Sequence, residues 1–136
     1  MILVDSNVLL DIVSGDPVWS NWSARQIATR IRADAIFVNA IVFAELSPRY
    51  SLQAEVDQFL KAAGIGFMHI PREAAFAAGK AHMQYRRQGG TRTGVLPDFF
   101  IGAHAAVLGA AILTRDTRRY ATYFPMVRLI APRAEP

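Results

Sequence analysis

Four of the eleven acidic residues stand where a lone charge is out of place: Asp5 in ILVDS, Glu45 in IVFAEL, Asp98 in LPDFFI and Asp116 in AILTRD. A carboxylate beside an apolar core is costly unless it is paired, hydrogen-bonded or metal-bound, so each of the four demands a partner. Taken singly, each has an ordinary structural role: Asp5 and Asp98 as helix caps, Asp116 as a turn residue, Glu45 as the partner of an arginine. Taken together, their apolar contexts favour one shared site. Oxygen donors without cysteine suit a hard divalent cation, Mg²⁺ or Mn²⁺, better than zinc.

Other polar residues carry weaker signals. Ser6, Asn7 and Thr114 lie beside the acids as candidate supporting residues that could orient ligands or bind phosphate, and they serve equally well as caps or turn residues. Asp11 in LLDIV falls inside a helix and is expected on an exposed face, while Asp34, Glu55, Asp57, Glu73 and Glu135 sit in mixed polar stretches and are expected to be solvated. His69, His82 and His104 have neither ligand nor triad spacing and are expected in core or surface roles. Gly64-Ile65-Gly66 lacks the lysine and the spacing of a phosphate-binding loop.

The elements that must position the acids alternate in type. Ile2-Leu3-Val4 reads as a strand, Asp5-Ser6-Asn7 as a capping turn, and Val8 to Val13 as a helix stopped by Ser14-Gly15-Asp16-Pro17. A second helix is expected from about Trp19 to Arg32, a strand at Ile36 to Val38, and a helix through Ile41 to Leu46 capped by Asn39 and ended or bent at Pro48. Leu52 to Leu60 suits another helix before a third strand at Phe67 to Ile70, and Pro71 opens an alanine-rich helix from about Arg72 to Gln88. The glycine-rich stretch Gly89 to Gly94 is a candidate mobile, substrate-contacting loop. A nearly all-apolar helix then runs from near Pro97-Asp98 to Gly109, followed by a strand at Ala111 to Leu113, a short helix at Thr117 to Tyr123 and a last strand at Met126 to Ile130. Short apolar strands alternating with helices indicate an α/β fold with a mainly parallel central sheet of four to five strands flanked by helices, over residues 1–136 as a single domain. In such sheets ligands bind outside the carboxyl ends of the strands, where Asp5 and Asp116 fall, where Asp98 opens a helix, and which Glu45 could reach.

Composition sets the outer bounds. With 136 residues, 52% of them hydrophobic, the chain can bury a core of ordinary domain size. Having no cysteine, it has no disulfide, no thiolate nucleophile and no cysteine-ligated zinc or iron–sulfur site, in keeping with a cytoplasmic protein. The apolar start broken by Asp5 lacks the layout of a secretory signal, and no apolar stretch approaches the roughly 20 residues of a membrane helix, so no membrane partner is expected. A net charge of +4 favours an anionic partner, and thirteen of the fifteen cations are arginine, whose planar fork matches phosphate oxygens. Arg86, Arg87 and Arg92 around the glycine-rich loop, and Arg115, Arg118 and Arg119 beside Asp116, are the candidate RNA contacts; Trp19 and Trp22 read better as helix-face packing.

The acids and their settings together resemble the PIN-domain nucleases, and among them the small VapC-type toxin ribonucleases of toxin–antitoxin systems. The opening ILVDSNVLLD is similar to the family's first strand and first acid, FAEL carries its glutamate, LPDFFIGAHA its central aspartate, and ILTRDTRRY its last acid. The resemblance runs over nearly the whole chain. It implies a Mg²⁺- or Mn²⁺-dependent endoribonuclease in which Asp5 and Asp98 hold the metal, supported by Glu45 and Asp116, with structured RNA (tRNA or rRNA) as substrate. It further implies a homodimer and a small cognate antitoxin whose tail lies across the acidic cleft. Three readings compete: a catalytically inactive adaptor of the same fold that binds RNA or protein, a receiver-type signalling domain, and a DNA-directed nuclease. The adaptor would be expected to have lost one or more of the acids. The receiver would need adjacent acids early on and a lysine before a late proline, neither of which is present.

Overall fold

The computed structural model describes residues 1–133; Glu135 lies outside them. Five strands, β1 (Ile2–Val4), β2 (Ile36–Val38), β3 (Gly66–Phe67), β4 (Ala111–Leu113) and β5 (Leu129–Ile130), form one sheet in the order β3-β2-β1-β4-β5. Every pairing is parallel. Among the described residues, seven helices connect and cover the strands: α1 (Ser6–Ser14), α2 (Ser20–Arg30), α3 (Ala40–Leu46), α4 (Gln53–Ala62), α5 (Arg72–Arg87), α6 (Leu96–Leu108) and α7 (Arg118–Tyr123). The expected α/β class and parallel sheet are thus observed, with five strands.

The strand order fixes where a ligand can sit. From the central strand β1 the chain winds outward through β2 and β3 on one side, then returns to lay β4 and β5 on the other. The reversal lies between β1 and β4, and in open α/β sheets a crevice opens at the carboxyl ends of the two strands flanking such a switch. Val4 pairs with Leu113 there, and the Asp5 N–H donates to the Leu113 carbonyl at 2.9 Å. The next residues of the two strands, Asp5 and Thr114, therefore emerge side by side.

Local chemistry sets the element ends. All three residues of β1, β2 and β4 are buried, as expected for strands covered on both faces. Gly15, at φ 65°, closes α1 in the left-handed region that side chains rarely enter. Asn39 caps α3 by accepting the Ile41 and Val42 N–H groups, each at 3.1 Å. With its amide oxygen so occupied, Asn39 turns its NH₂ to the buried His104 Nδ1 at 3.1 Å, which ties the start of α3 to α6. Pro48 falls within a 3₁₀ turn, Ser47–Arg49, directly after α3. Two edge strands are shorter than expected. β3 stops at Phe67, because its partner β2 ends at Val38 and the last ladder bond runs from Met68 N–H to the Val38 carbonyl. β5 begins only at Leu129, after the Phe124–Val127 turn, and pairs with Ile112 and Leu113.

α6 is apolar around most of its circumference because it is enclosed: Phe99, Ile101, Ala103, His104 and Ala105 are all buried. Its Gly102 lies against the ring of Phe124, just beyond α7, so closely that a Cβ there would come within 2.3 Å of a ring carbon. This contact sets the spacing between the helix that carries Asp98 and the segment that follows Asp116. Gly102→Ala should therefore destabilise the protein by about 1–3 kcal/mol, the usual range for overpacking. The loss should register in urea unfolding as a lower midpoint with an unchanged slope; an unaltered midpoint would mean that Phe124 moves aside freely.

Candidate functional site

Asp5 is the buried centre of the site. Its Oδ1 accepts the Ser6 N–H at 2.8 Å, which caps α1. Its Oδ2 accepts the Thr114 hydroxyl at 2.8 Å, the Tyr120 hydroxyl at 2.9 Å and the Asn7 amide at 3.3 Å. Oδ2 is crowded with donors and Oδ1 has one, so Oδ1 retains the free lone pair. Burial pushes the carboxyl above its ordinary range and the nearby Asp98 charge adds to this, while the Thr114 and Tyr120 hydroxyls and the Ser6 N–H pull it back. Burial also pushes the Tyr120 phenol well above its ordinary value, with the Asp5 and Asp98 charges adding, so it stays protonated as a donor.

The other acids gather around this point with decreasing burial. Glu45, near the end of α3, is an exposed residue whose Oε1 accepts the Ser6 hydroxyl at 3.0 Å. Partial desolvation raises its carboxyl, and the Asp5 and Asp98 charges raise it further against the opposing Ser6 bond. Asp98 stands in the first turn of α6 and meets the Arg119 guanidinium at 2.6 Å. Desolvation still wins over that arginine, and its carboxyl lies above the ordinary range, with the Asp116 charge contributing. Asp116 is more than half exposed and carries a long 3.5 Å contact to Arg118. Asp5, Glu45 and Asp98 thus share one electrostatic neighbourhood, and Asp116 forms its rim.

Among the described residues, no three acidic or histidine side chains stand close enough to clasp a single bare ion. The carboxyls nonetheless repel one another in a partly dehydrated crevice. That suits a hydrated cation such as Mg²⁺, which takes one or two carboxylates directly and reaches the rest through its waters.

The supporting residues divide clearly. Ser6 links Asp5 to Glu45, Thr114 is fully buried against Asp5, and Asn7 bridges Asp5, Thr114 and the Arg115 N–H. Arg115, expected as an RNA contact, is instead engaged within the protein. Its guanidinium grips Asp11 with two bonds of 2.6 and 2.9 Å and lies over the Trp19 ring. Asp11 is accordingly not on an exposed face: it is 4% exposed and also accepts the Ser23 hydroxyl, because α2 packs across α1 on that side. Trp19 and Trp22 pack edge to face at 6.2 Å, as helix-face packing implies. Arg86 and Arg87 are exposed on the last turn of α5.

One residue of the site, Tyr120, escaped the sequence analysis, because its hydroxyl donor to Asp5 depends on α7 folding back towards the end of β1. Arg119, a candidate RNA contact beside Asp116, reaches Asp98 and is only 17% exposed.

The charge coupling has a measurable pH signature. The folded-state pKa of Glu45 lies above its ordinary 4.5, so folding disfavours the ionised form. The penalty is absent below that value and is complete once pH exceeds the raised pKa. In EDTA, Glu45→Gln should therefore gain melting temperature relative to the native chain as pH rises from 4.5 towards neutrality. A difference that does not change with pH would remove the mutual repulsion.

The model of the PIN domain family matches residues 2–125. Among solved structures, the chain is similar to VapBC2 from Rickettsia felis bound to a DNA fragment from their promoter, with a TM-score of 0.75 and 17% identity over 98% of this chain and 100% of that one. It is similar to VapBC-1 from nontypeable Haemophilus influenzae, with a TM-score of 0.70 and 17% identity over 96% of this chain and 98% of that one. A toxin–antitoxin complex from Klebsiella pneumoniae matches with a TM-score of 0.65 and 20% identity over 98% of each chain. At these identities the likeness is one of fold. No curated protein sequence matches the chain.

Proposed function

The chain belongs to the PIN-domain family, and on that premise we propose that it is a Mg²⁺- or Mn²⁺-dependent endoribonuclease, the toxin of a type II toxin–antitoxin pair, formed as one nuclease domain over residues 1–136. The observation that carries this reading is the gathering of Asp5, Glu45 and Asp98 at the switch point of the sheet, each with its carboxyl raised by dehydration and by its acidic neighbours. The α1 cap that Asp5 provides and the Arg119 partner of Asp98 leave that mutual repulsion uncompensated. A cation would turn that cost into binding energy.

Asp5 and Asp98 would hold the metal, with Glu45 and Asp116 supporting it through bound water. When bound there, such a metal would supply an acidified water near neutral pH and would neutralise charge on the phosphate and the departing oxygen. The protein's part is to fix the donors. Thr114, Tyr120 and Asn7 occupy Asp5 Oδ2 and leave Oδ1 with the Ser6 N–H alone, Ser6 also sets Glu45, and Pro97 lies in the first turn of the helix that carries Asp98. The buried Tyr120 phenol, held in its protonated form, keeps the Asp5 carboxylate oriented without competing for the metal.

The partners follow from the same reading. Structured RNA such as tRNA or rRNA is the substrate, and a small cognate antitoxin covers the acidic cleft of a cytoplasmic homodimer. The similar solved structures support the antitoxin, since those from Rickettsia felis and Haemophilus influenzae are VapBC assemblies and that from Klebsiella pneumoniae is a toxin–antitoxin complex. No helix among the described residues is long and apolar enough to cross a membrane.

Purified protein incubated with total bacterial RNA and Mg²⁺ or Mn²⁺ should give discrete fragments, and EDTA or Asp98→Asn should abolish them. RNA left intact with both metals would put the non-catalytic adaptor reading in its place. Metal binding has its own readout in melting temperature. Mn²⁺ at ten times its dissociation constant should stabilise the native chain by about 1.4 kcal/mol, or roughly 5 °C at this length, and Asp5→Asn much less. Equal shifts in both proteins would place the ion elsewhere.

A further inference from the structure

Beside the acidic cluster, and sharing Asp116 with it, lies a cleft of about 280 Å³ with a different chemistry. Tyr85, Arg92, Asp116, Arg118, Arg119 and Tyr123 form its walls. Tyr85 organises it. The Tyr85 ring lies beneath Gly90 so closely that a Cβ there would come within 2.4 Å of it, so a larger residue would have to displace the ring. Its hydroxyl accepts the Arg92 N–H at 3.1 Å, fixing the end of the glycine-rich loop, and its ring carries the Arg119 guanidinium at 5.6 Å. Tyr123 packs edge-on against Tyr85, and its own hydroxyl donates to Gln88. One aromatic side chain thus sets two arginines on the same cleft.

These cations differ in their engagement. Arg92 is exposed and makes no ion pair among the described residues. Arg118 has only the long contact to Asp116. Arg119 is mostly buried and is held by a single guanidinium nitrogen to Asp98, which leaves the rest of its planar fork without a carboxylate partner.

We propose that this cleft is a phosphate subsite for a single-stranded nucleic acid, with Arg92 and Arg119 as its donors and Asp98 competing with the phosphate for Arg119. The inference rests on the nuclease reading for the identity of the anion, and it assigns where the strand beside the cleavage point is held. A guanidinium pinned on a ring and a loop anchored by the same tyrosine lose little freedom on binding, so the subsite is organised before the ligand arrives. Neutralising Asp98 releases Arg119 to the phosphate.

The test uses a short fluorescein-labelled single-stranded DNA, chosen to withstand ribonuclease action, with binding followed by anisotropy in EDTA across a salt series. Arg92→Ala and Arg119→Ala should each weaken binding roughly three- to tenfold and lower the salt slope by about 0.7, the share of one phosphate contact to a single strand. Arg72→Ala, about 20 Å back along α5, should change neither. Asp98→Asn should bind more tightly than the native chain, and the gain should vanish in the Asp98→Asn/Arg119→Ala double variant. A gain that survives in the double variant would reflect the lost negative charge alone and would overturn the competition. Equal weakening by Arg72→Ala and Arg119→Ala would overturn the subsite in favour of diffuse attraction, as would an absence of binding by both the native chain and Asp98→Asn. RNA cleavage is scored separately, so a protein that cleaves without this arginine-dependent binding keeps the nuclease reading and loses the subsite. Thermal melts of each variant confirm that it is folded.

Discussion

Asp5 ends the central strand with its carboxyl group almost entirely out of water, and much of the surrounding structure answers that one placement. Taking a carboxylate out of water is costly, so donors must be brought to it. They come from three separate places: the first turn of α1 through Ser6 and Asn7, the end of β4 through Thr114, and α7 through Tyr120. Each requires a particular piece of architecture. The parallel register of β1 with β4 sets Thr114 beside Asp5, and α7 must fold back over the crevice for Tyr120 to reach. The donors hold the carboxylate in one orientation yet do not bring it to its ordinary range, because burial and Asp98 outweigh them. The arrangement stabilises a charged group only part of the way, and on the proposed function a cation would make up that shortfall.

The same incomplete compensation extends outward. Glu45 is raised by desolvation and by Asp5 and Asp98, and Asp98 remains raised although an arginine lies against it. Structural carboxylates usually show the reverse, since a partner arginine ordinarily holds an acid down. Asp16 is an example within this chain: the Trp19 and Val18 N–H groups cap it and hold its carboxyl below the usual range. Asp16 is capped in the open, whereas Asp5, Glu45 and Asp98 meet their partners where burial and neighbouring acids work against the charge.

What the sequence makes legible and what it hides follow from the range of the interactions involved. The strands at Ile2–Val4, Ile36–Val38 and Ala111–Leu113 are short apolar runs bounded by turn and capping residues, so their existence and limits are local properties. Asp5 and Asp116 follow two of those strands, and the parallel sheet carries both to one edge, while Asp98 is marked locally by Pro97 at the start of α6. The edge strands are less legible, because their length depends on how far a neighbour extends. Long-range side-chain pairings are least legible of all. Asp11 reads as a solvated helix residue until α2 and Arg115 close over it, and the role of Tyr120 depends on a partner 115 residues away in sequence.

The two arginines that meet acids near the crevice show how geometry separates a structural pair from an exchangeable one. Arg115 grips Asp11 with two nitrogens, stacks on Trp19, and faces a carboxylate that also accepts Ser23, so pulling it away would strand a nearly buried charge. That pair locks α1 and α2 to the loop after β4, and through the Arg115 N–H it sets Asn7 beside Asp5. Arg119 meets Asp98 through one nitrogen, and Asp98 is a third exposed. Separating this second pair leaves a carboxylate that water or a cation can reach and a guanidinium that keeps its seat on Tyr85. One arginine is therefore committed to the fold, while its near neighbour stands between the acidic residues and the cleft at Tyr85, held by one nitrogen and one ring.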